Sequence, residues 1–389
     1  MELIETKIIL KYLNATSLSS TSGTGRLTGI ACNFNTHNLK IMIDQKIKLK
    51  PYTLVIRTTE RCNVGCYHCS ISATPKGLNL PLQIGLEAIR DAKANGLNRV
   101  HFTGGEPLLY NNLIDLINRT KELGMFTDIT SSTFTKTGED TLQLLDSLHK
   151  AGLECVMLSF DEPHAQKVTI EQFTQFTKRS QDLGMHVCVF VCQGGNTSLQ
   201  MADLKKALIK ENIDIDKIEW TVSEYQYEGR GADNIHLAEQ NEEEHYCRCP
   251  YVMAVPTLNP DGQVLLCHMA RFKTKNFVVG QYPSESLETI LDRMENTPIY
   301  RYLSKYGPQQ SLRNLGFKKE EVPNDMCRAC EKYLTKLEES EYQNKLNELM
   351  INDDLTEIEV DLKAVLPIYQ RYLLEHGEKL IDDYDSNMD

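Results

Sequence analysis

Thr58-Thr59-Glu60-Arg61-Cys62-Asn63-Val64-Gly65-Cys66-Tyr67-His68-Cys69 follows directly on the apolar run Leu54-Val55-Ile56, which reads as a buried strand. Its cysteines are spaced C-x3-C-x2-C. Three thiolates on one short loop can wrap one face of a compact iron–sulfur cluster. A cubane takes one ligand per iron, so three cysteines leave one iron open to a non-protein ligand. His68 lies inside the loop and leaves a zinc reading available, but zinc sites close their fourth position with a further Cys or His. The cluster reading is preferred.

A second apolar strand, Val100-His101-Phe102, leads to Gly104-Gly105-Glu106-Pro107. Glycine there lets the main chain approach a ligand closely and reach positive φ. Alone, this segment reads as an ordinary strand-to-helix turn. One βα unit after the cysteine loop, it resembles the GGEP segment of the radical S-adenosylmethionine (SAM) superfamily, whose cysteine signature has the spacing found here. The resemblance implies a [4Fe-4S] cluster on Cys62, Cys66 and Cys69, its open iron chelating the amino and carboxylate groups of SAM. It also implies cofactor contacts from Gly104, Gly105, Glu106 and Pro107, and from Tyr67 and His68 in the loop. In that family an electron from a donor such as flavodoxin or ferredoxin cleaves SAM to methionine and a 5′-deoxyadenosyl radical, which takes a hydrogen atom from the substrate.

The 389-residue chain is long enough for one large α/β domain and a smaller one. A net charge of −12 without a Lys/Arg stripe argues against duplex nucleic acid as a partner. No run of 18 apolar residues predicts a membrane span, and the acidic start Met1-Glu2-Leu3-Ile4-Glu5 lacks a signal-peptide pattern. Twelve cysteines in such a chain point to metal or cluster ligation in a reducing cytoplasm.

Residues 1–50 read as a β-rich extension, either a small sheet packed on the barrel or a docking surface for a peptide. From residue 51 strands and helices alternate. Strands are predicted at 53–58, 98–103, 125–130, 154–160, 186–191 and 217–223, and helices at 80–95, 111–123, 139–151, 169–183 and 199–211. Gly96, Gly124, Gly152 and Gly184 follow four of these helices as C-terminal caps. The pattern predicts α/β architecture with a parallel sheet and right-handed crossovers. Six strands fit the open, partial (β/α)6 TIM-like barrel of the resembled family over residues 51–235.

Chemistry in such barrels gathers at the C-terminal ends of strands. The third strand ends in Thr130-Ser131-Ser132, the fourth in Ser159-Phe160-Asp161-Glu162-Pro163-His164. By strand position the resemblance assigns SAM contacts to Ser131, Ser159 and, less directly, Asp161, which is equally well placed to cap the next helix. His164 is a candidate base or substrate contact, or a solvent-exposed loop histidine. Arg230, in Glu228-Gly229-Arg230-Gly231, resembles a family arginine near the SAM carboxylate, and its planar fork suits that partner.

Beyond residue 235 the pattern changes. Cys247-Arg248-Cys249-Pro250 leads to the turn Asn259-Pro260-Asp261-Gly262, Cys267 closes the strand after it, and Cys327-Arg328-Ala329-Cys330 follows later. This C-terminal β-hairpin and helical region, 236–335, resembles the shorter "twitch" relative of the SPASM module. One auxiliary [4Fe-4S] cluster on Cys249, Cys267, Cys327 and Cys330 is implied, with Cys247 spare or exchanged for Cys249. A zinc ribbon-like site is the alternative. Residues 336–389 read as a helical, acidic tail whose leucine stripes suggest core packing.

The leading expectation is modification of a ribosomally made precursor peptide, by epimerisation or cross-linking, with Asp161, His164 and Cys247 as catalytic candidates and Cys247 as a hydrogen donor. The runner-up is a dehydrogenase of a small molecule such as an amino sugar alcohol. A non-catalytic iron–sulfur binding or maturation protein is the third reading.

Overall fold

The computed structural model describes residues 53–133, 138–192, 198–223, 225, 228–234, 248–249, 251–268, 272–351 and 353. The expectations for residues 1–50, for Cys247 and for the tail beyond residue 353 lie outside them. Six strands run parallel: β1 (Thr53–Thr59), β2 (Arg99–Gly104), β3 (Phe126–Ser131), β4 (Cys155–Ser159), β5 (His186–Cys192) and β6 (Ile218–Ser223). Between them lie α1 (Leu82–Ala94), α2 (Leu113–Glu122), α3 (Gly138–Ala151), a short α4 (Glu162–Ala165), α5 (Ile170–Asp182) and α6 (Met201–Lys210). This is the expected α/β partial barrel, each element within two residues of its predicted bounds where one was predicted. The four helix-capping glycines all have positive φ. Local chemistry sets the helix starts: Thr169 and Gln172 form a reciprocal capping box at α5, with bonds of 3.1 and 2.9 Å.

The register separates two faces. Ile56, Phe102, Ile129, Val156, Val187 and Ile218 stand opposite one another across all six strands. They are buried in one apolar cluster with Ile89, Leu116, Leu148, Phe173 and Leu204 of the helices. Burying each such side chain contributes about 1.5–3 kcal/mol. One residue out of phase, the opposite face carries His101, Asp128, Cys155 and His186 in one row, and Thr130, Met157, Cys188 and Glu219 in the next. Successive strand residues point to opposite faces, so the apolar row lies under the helices and the polar rows line the barrel lumen.

The hairpin expected around Asn259–Gly262 forms as β7 (Thr257–Leu258) and β8 (Gln263–Leu265), followed by β9 (Val278–Gln281). β7 pairs in parallel with β1, Val55 opposite Thr257, so the sheet runs β6-β5-β4-β3-β2-β1-β7-β8-β9. Arg57 ties the two parts together, bonding Asn259 Oδ1 at 3.1 Å and the His268 carbonyl at 2.8 Å. After α7 (Arg230–Asp233), helices α8 (Leu287–Asn296), α9 (Pro298–Tyr306), α10 (Pro308–Asn314), α11 (Met326–Lys336) and α12 (Ser340–Ile351) complete the described chain. Leu337 and Leu346 of the tail's first leucine stripe are buried, so this stripe packs into the core. No helix among the described residues is long and apolar enough to cross a membrane.

Candidate active site

The cysteine loop leaves the C-terminal end of β1, and the glycines after β2 hold it there. Gly105 N–H donates to the Thr59 carbonyl at 2.7 Å and Glu106 N–H to the Arg61 carbonyl at 2.8 Å. Gly104 has φ +142°, and a Cβ there would lie 2.1 Å from the Thr59 carbonyl oxygen. Backbone thus seats on backbone, which only glycine permits. Glu106 is fully buried, its carboxylate accepting from Ser131 Oγ (2.7 Å), Ser132 Oγ (2.6 Å), Ser132 N (2.9 Å) and Leu108 N (3.1 Å). Burial raises its pKa, and these bonds from Ser132 and Ser131 offset part of the rise. Pro107 opens the 3-10 turn Pro107–Leu109 that follows.

These contacts show where the expected residues at the end of β3 lie. Ser131 is engaged by Glu106, out of phase with the lumen, and it is Thr130 that shares the lumen row with Met157. Ser159 ends β4 on the lumen side, opposite Phe190. Arg230 lies against the cysteine loop itself: Nε donates to the Cys66 carbonyl at 3.0 Å and Nη1 to the Ala73 carbonyl at 2.6 Å. Gly229 (φ +56°) approaches so closely that a Cβ would lie 2.5 Å from the Cys69 and Ser70 carbonyl oxygens. Asn234 adds a bond to the Tyr67 carbonyl at 2.9 Å.

Asp161 is the hub on the other side of the loop. It caps α4, accepting from His164 N at 3.2 Å, and its two oxygens take His164 Nδ1 at 2.6 Å and His68 Nε2 at 3.2 Å. Burial opposes its ionisation, but the His164 and His68 imidazoles outweigh burial and hold the carboxyl well below the usual range. Burial likewise opposes a charged His68, yet its bonds to Asp161 and Cys192 carry the imidazole up to about 9. His164 is mostly buried, its ring edge-on to His68 at 5.1 Å. Tyr67 pairs its hydroxyl with that of Tyr225 at 3.3 Å.

Among the described residues, His68, Asp161 and Cys192 are the one group of three His, Cys, Asp or Glu donors gathered within 4.8 Å. Their mutual hydrogen bonds account for the gathering. The donors at both cysteine sites are thiols, a set that suits an iron–sulfur cluster or a thiolate-bound ion. Burial pushes the Cys62 thiol up to about 11 and Cys66 higher still, so without a metal these sulfurs stay protonated. At the second candidate site Cys267 follows the hairpin, Cys327 and Cys330 lie one turn apart on α11, and Cys249 and Cys267 are near enough to act on both electrostatically. Burial raises both thiols, followed at Cys327 by the charges of Glu228 and Asp325 and at Cys330 by those of Cys249 and Cys267.

Sequence reasoning missed the lumen network. Asp128 binds Arg99 Nε at 2.5 Å and His101 Nδ1, and His101 Nε2 meets Thr130 Oγ1 at 3.2 Å. Burial works against the Asp128 charge, but Arg99 and His101 hold it at about 2. His268, beside Cys267, faces His101 with ring centres 5.9 Å apart. Burial, followed by the charges of His101 and Arg57, lowers the His268 pKa to about 3. Alternation of polar residues within β2 and β3 was the signal that could have found this row.

Residues 56–208 match the family model "Radical SAM superfamily", and this stretch is a radical SAM domain. Among curated proteins the chain is 29% identical over 145 residues to a PqqA peptide cyclase of Methylorubrum populi, covering 35% of this chain and 37% of that protein. It is 33% identical over 141 residues to a GTP 3',8-cyclase of Clostridium acetobutylicum, covering 35% and 43%. The matched part thus spans less than half the length of these relatives. Streptococcus suis SuiB, solved with its precursor peptide SuiA, superposes with a TM-score of 0.50 at 17% identity, covering 83% of this chain and 88% of that one. That likeness is one of fold.

Proposed function

We propose that this chain is a radical SAM enzyme that modifies a ribosomally made precursor peptide. The observation that carries the reading is the seating of the Cys62–Cys69 loop on the Gly104-Gly105 backbone at the strand ends of a polar-lined barrel. Cys62, Cys66 and Cys69 would hold a [4Fe-4S] cluster, which supplies the electron that cleaves SAM to methionine and a 5′-deoxyadenosyl radical. The Gly104–Pro107 segment and Arg230 keep the loop in shape. Asp161 fixes the orientation of His68 and holds His164 beside it. Ser159 and Thr130 face the lumen, where a substrate would enter. Cys249, Cys267, Cys327 and Cys330 would hold an auxiliary cluster.

A peptide substrate is supported by a relative whose name states that it acts on a peptide. The GTP cyclase relative supports a second reading, a small-molecule substrate. The ten described cysteines are all free thiols, which suits a reducing cytoplasm with a flavodoxin or ferredoxin as electron donor. The test is anaerobic incubation of reconstituted protein with SAM, dithionite and a short peptide encoded beside its gene. Deoxyadenosine release stimulated by that peptide, with a mass change on it, is the expected result. Stimulation by polyols or nucleotides alone would replace the peptide reading with the small-molecule one.

A further inference from the structure

The lumen network ends on two polar atoms that the described residues leave poorly matched. Asp128 is fully buried, with one oxygen on Arg99 and the other on His101 Nδ1. His101 Nε2 carries the chain on to Thr130, whose Oγ1 lies 3.2 Å from it and 3.9 Å from Met157 Sδ. A hydroxyl that accepts from the imidazole and donates toward sulfur has only a weak acceptor for its hydrogen. Thr130 is half-buried in the lumen row, so that hydrogen is within reach of a ligand. His268, its ring centre 5.9 Å from that of His101, keeps Nδ1 buried with no hydrogen-bond partner among the described residues. A buried polar atom without a partner is costly and calls for an explanation.

Charge narrows the class of ligand. Burial, then the positive charges of His101, Arg57 and Arg99, keep His268 neutral, and Asp128 opposes them. A neutral ring can carry its hydrogen on Nδ1, which gives two donors in a positive field. A cluster on Cys267 would offset part of that field from the hairpin side, but Thr130 on β3 would keep its donor. Glu219, the acid in the same row, lies three strands away on β6 and accepts from Cys188 at 3.5 Å.

We infer that Thr130 and His268 form a carboxylate-binding site in the lumen, with the Arg99–Asp128–His101 chain holding the Thr130 hydroxyl as a donor. The inference rests on the peptide reading above and names the group that enters: an Asp or Glu side chain, or the peptide's C-terminal carboxylate.

The first probe is carbon-13 sodium formate, titrated at constant ionic strength into anaerobically reconstituted protein and followed by formate line width. SAM is present to cover the open iron of the first cluster, and reductant is absent. Wild type should broaden the line saturably, and T130V should bind about tenfold more weakly. T130S, which keeps the hydroxyl, should match wild type. Equal iron content and melting temperature in the three proteins separate a lost donor from a lost fold. The second probe is the peptide encoded beside the gene, with each Asp and Glu changed singly to Asn or Gln, and with its C-terminus amidated. One of these changes should raise KM with wild type about tenfold, and T130V should be indifferent to that same change. No saturable formate binding, formate binding unchanged in T130V, or one KM for all the peptides would overturn the inference. A parent peptide left unmodified, with formate bound as expected, would remove the peptide reading and leave the carboxylate site standing.

Discussion

Arg230 and Cys66, 164 residues apart in sequence, are joined by an Nε–H to carbonyl bond of 3.0 Å. With the second bond to Ala73, the guanidinium fork spans the cysteine loop from outside. The arginine expected near the SAM carboxylate thus also holds the shape of the loop that would carry the cluster.

Arg230→Ala should therefore weaken the loop before it affects any later step. Loss of two bonds from a half-buried charged group should cost about 1–3 kcal/mol. Retention of iron by Cys62, Cys66 and Cys69 should fall with it, measured as iron per chain after desalting. Arg230→Lys should be intermediate, since an ammonium cannot span both carbonyls. Full iron retention with an unchanged melting temperature in Arg230→Ala would count against the brace.

Gly104→Ala should be among the most damaging single-methyl additions in the barrel. The new Cβ would lie 2.1 Å from the Thr59 carbonyl oxygen, at a φ that L-residues rarely adopt. Separation of β1 and β2 at their upper ends should cost about 2–4 kcal/mol. Amide exchange at Gly105 and Glu106, whose N–H groups make the contact, should accelerate well beyond that of the mid-strand residues.

The Asp161–His68 pair predicts a pH window for the metal-free protein. His68 is raised from 6.5 to about 9, so its contribution is fully present below pH 6.5 and is lost as pH rises through 9. Asp161 is lowered, so its contribution is present above the ordinary carboxylate value of about 3.9 and is lost as pH falls below it. Stability should plateau between these limits, and Asp161→Asn should flatten both flanks. Urea midpoints measured from about pH 2 to about pH 9.5 check this. A variant with the wild-type profile would place the dependence elsewhere.

Asp128→Asn should leave Arg99 buried without its counter-charge. Breaking a buried pair in this way costs about 3–5 kcal/mol, large against the stability of a typical domain. Asp128→Asn combined with Arg99→Met should recover part of the loss, and chemical denaturation of the two variants measures it.

The elements of the barrel were legible because each strand, helix and capping glycine is written within a window of a dozen residues. The cysteine spacings are local as well: Cys62–Cys69 is one loop, and Cys327 and Cys330 lie one turn apart on α11. What was not legible depends on register between distant strands. Ser131 and Thr130 are interchangeable in sequence, and only pairing with β4 shows which one faces the lumen. His101 and Asp128 look like strand residues until β2 and β3 are set side by side. The parallel joining of β7 to β1 couples segments about 200 residues apart, and no local pattern announces it.

The most direct test of the central claim is iron content together with 5′-deoxyadenosine formation in anaerobically reconstituted protein given dithionite and SAM. The account predicts two clusters, about eight irons per chain at four per cubane. Replacing Cys62, Cys66 and Cys69 together by Ala should remove half the iron and all cleavage, whereas Cys327→Ala with Cys330→Ala should remove the other half and leave SAM cleavage measurable. Intact, reducible clusters that fail to cleave SAM would contradict the account.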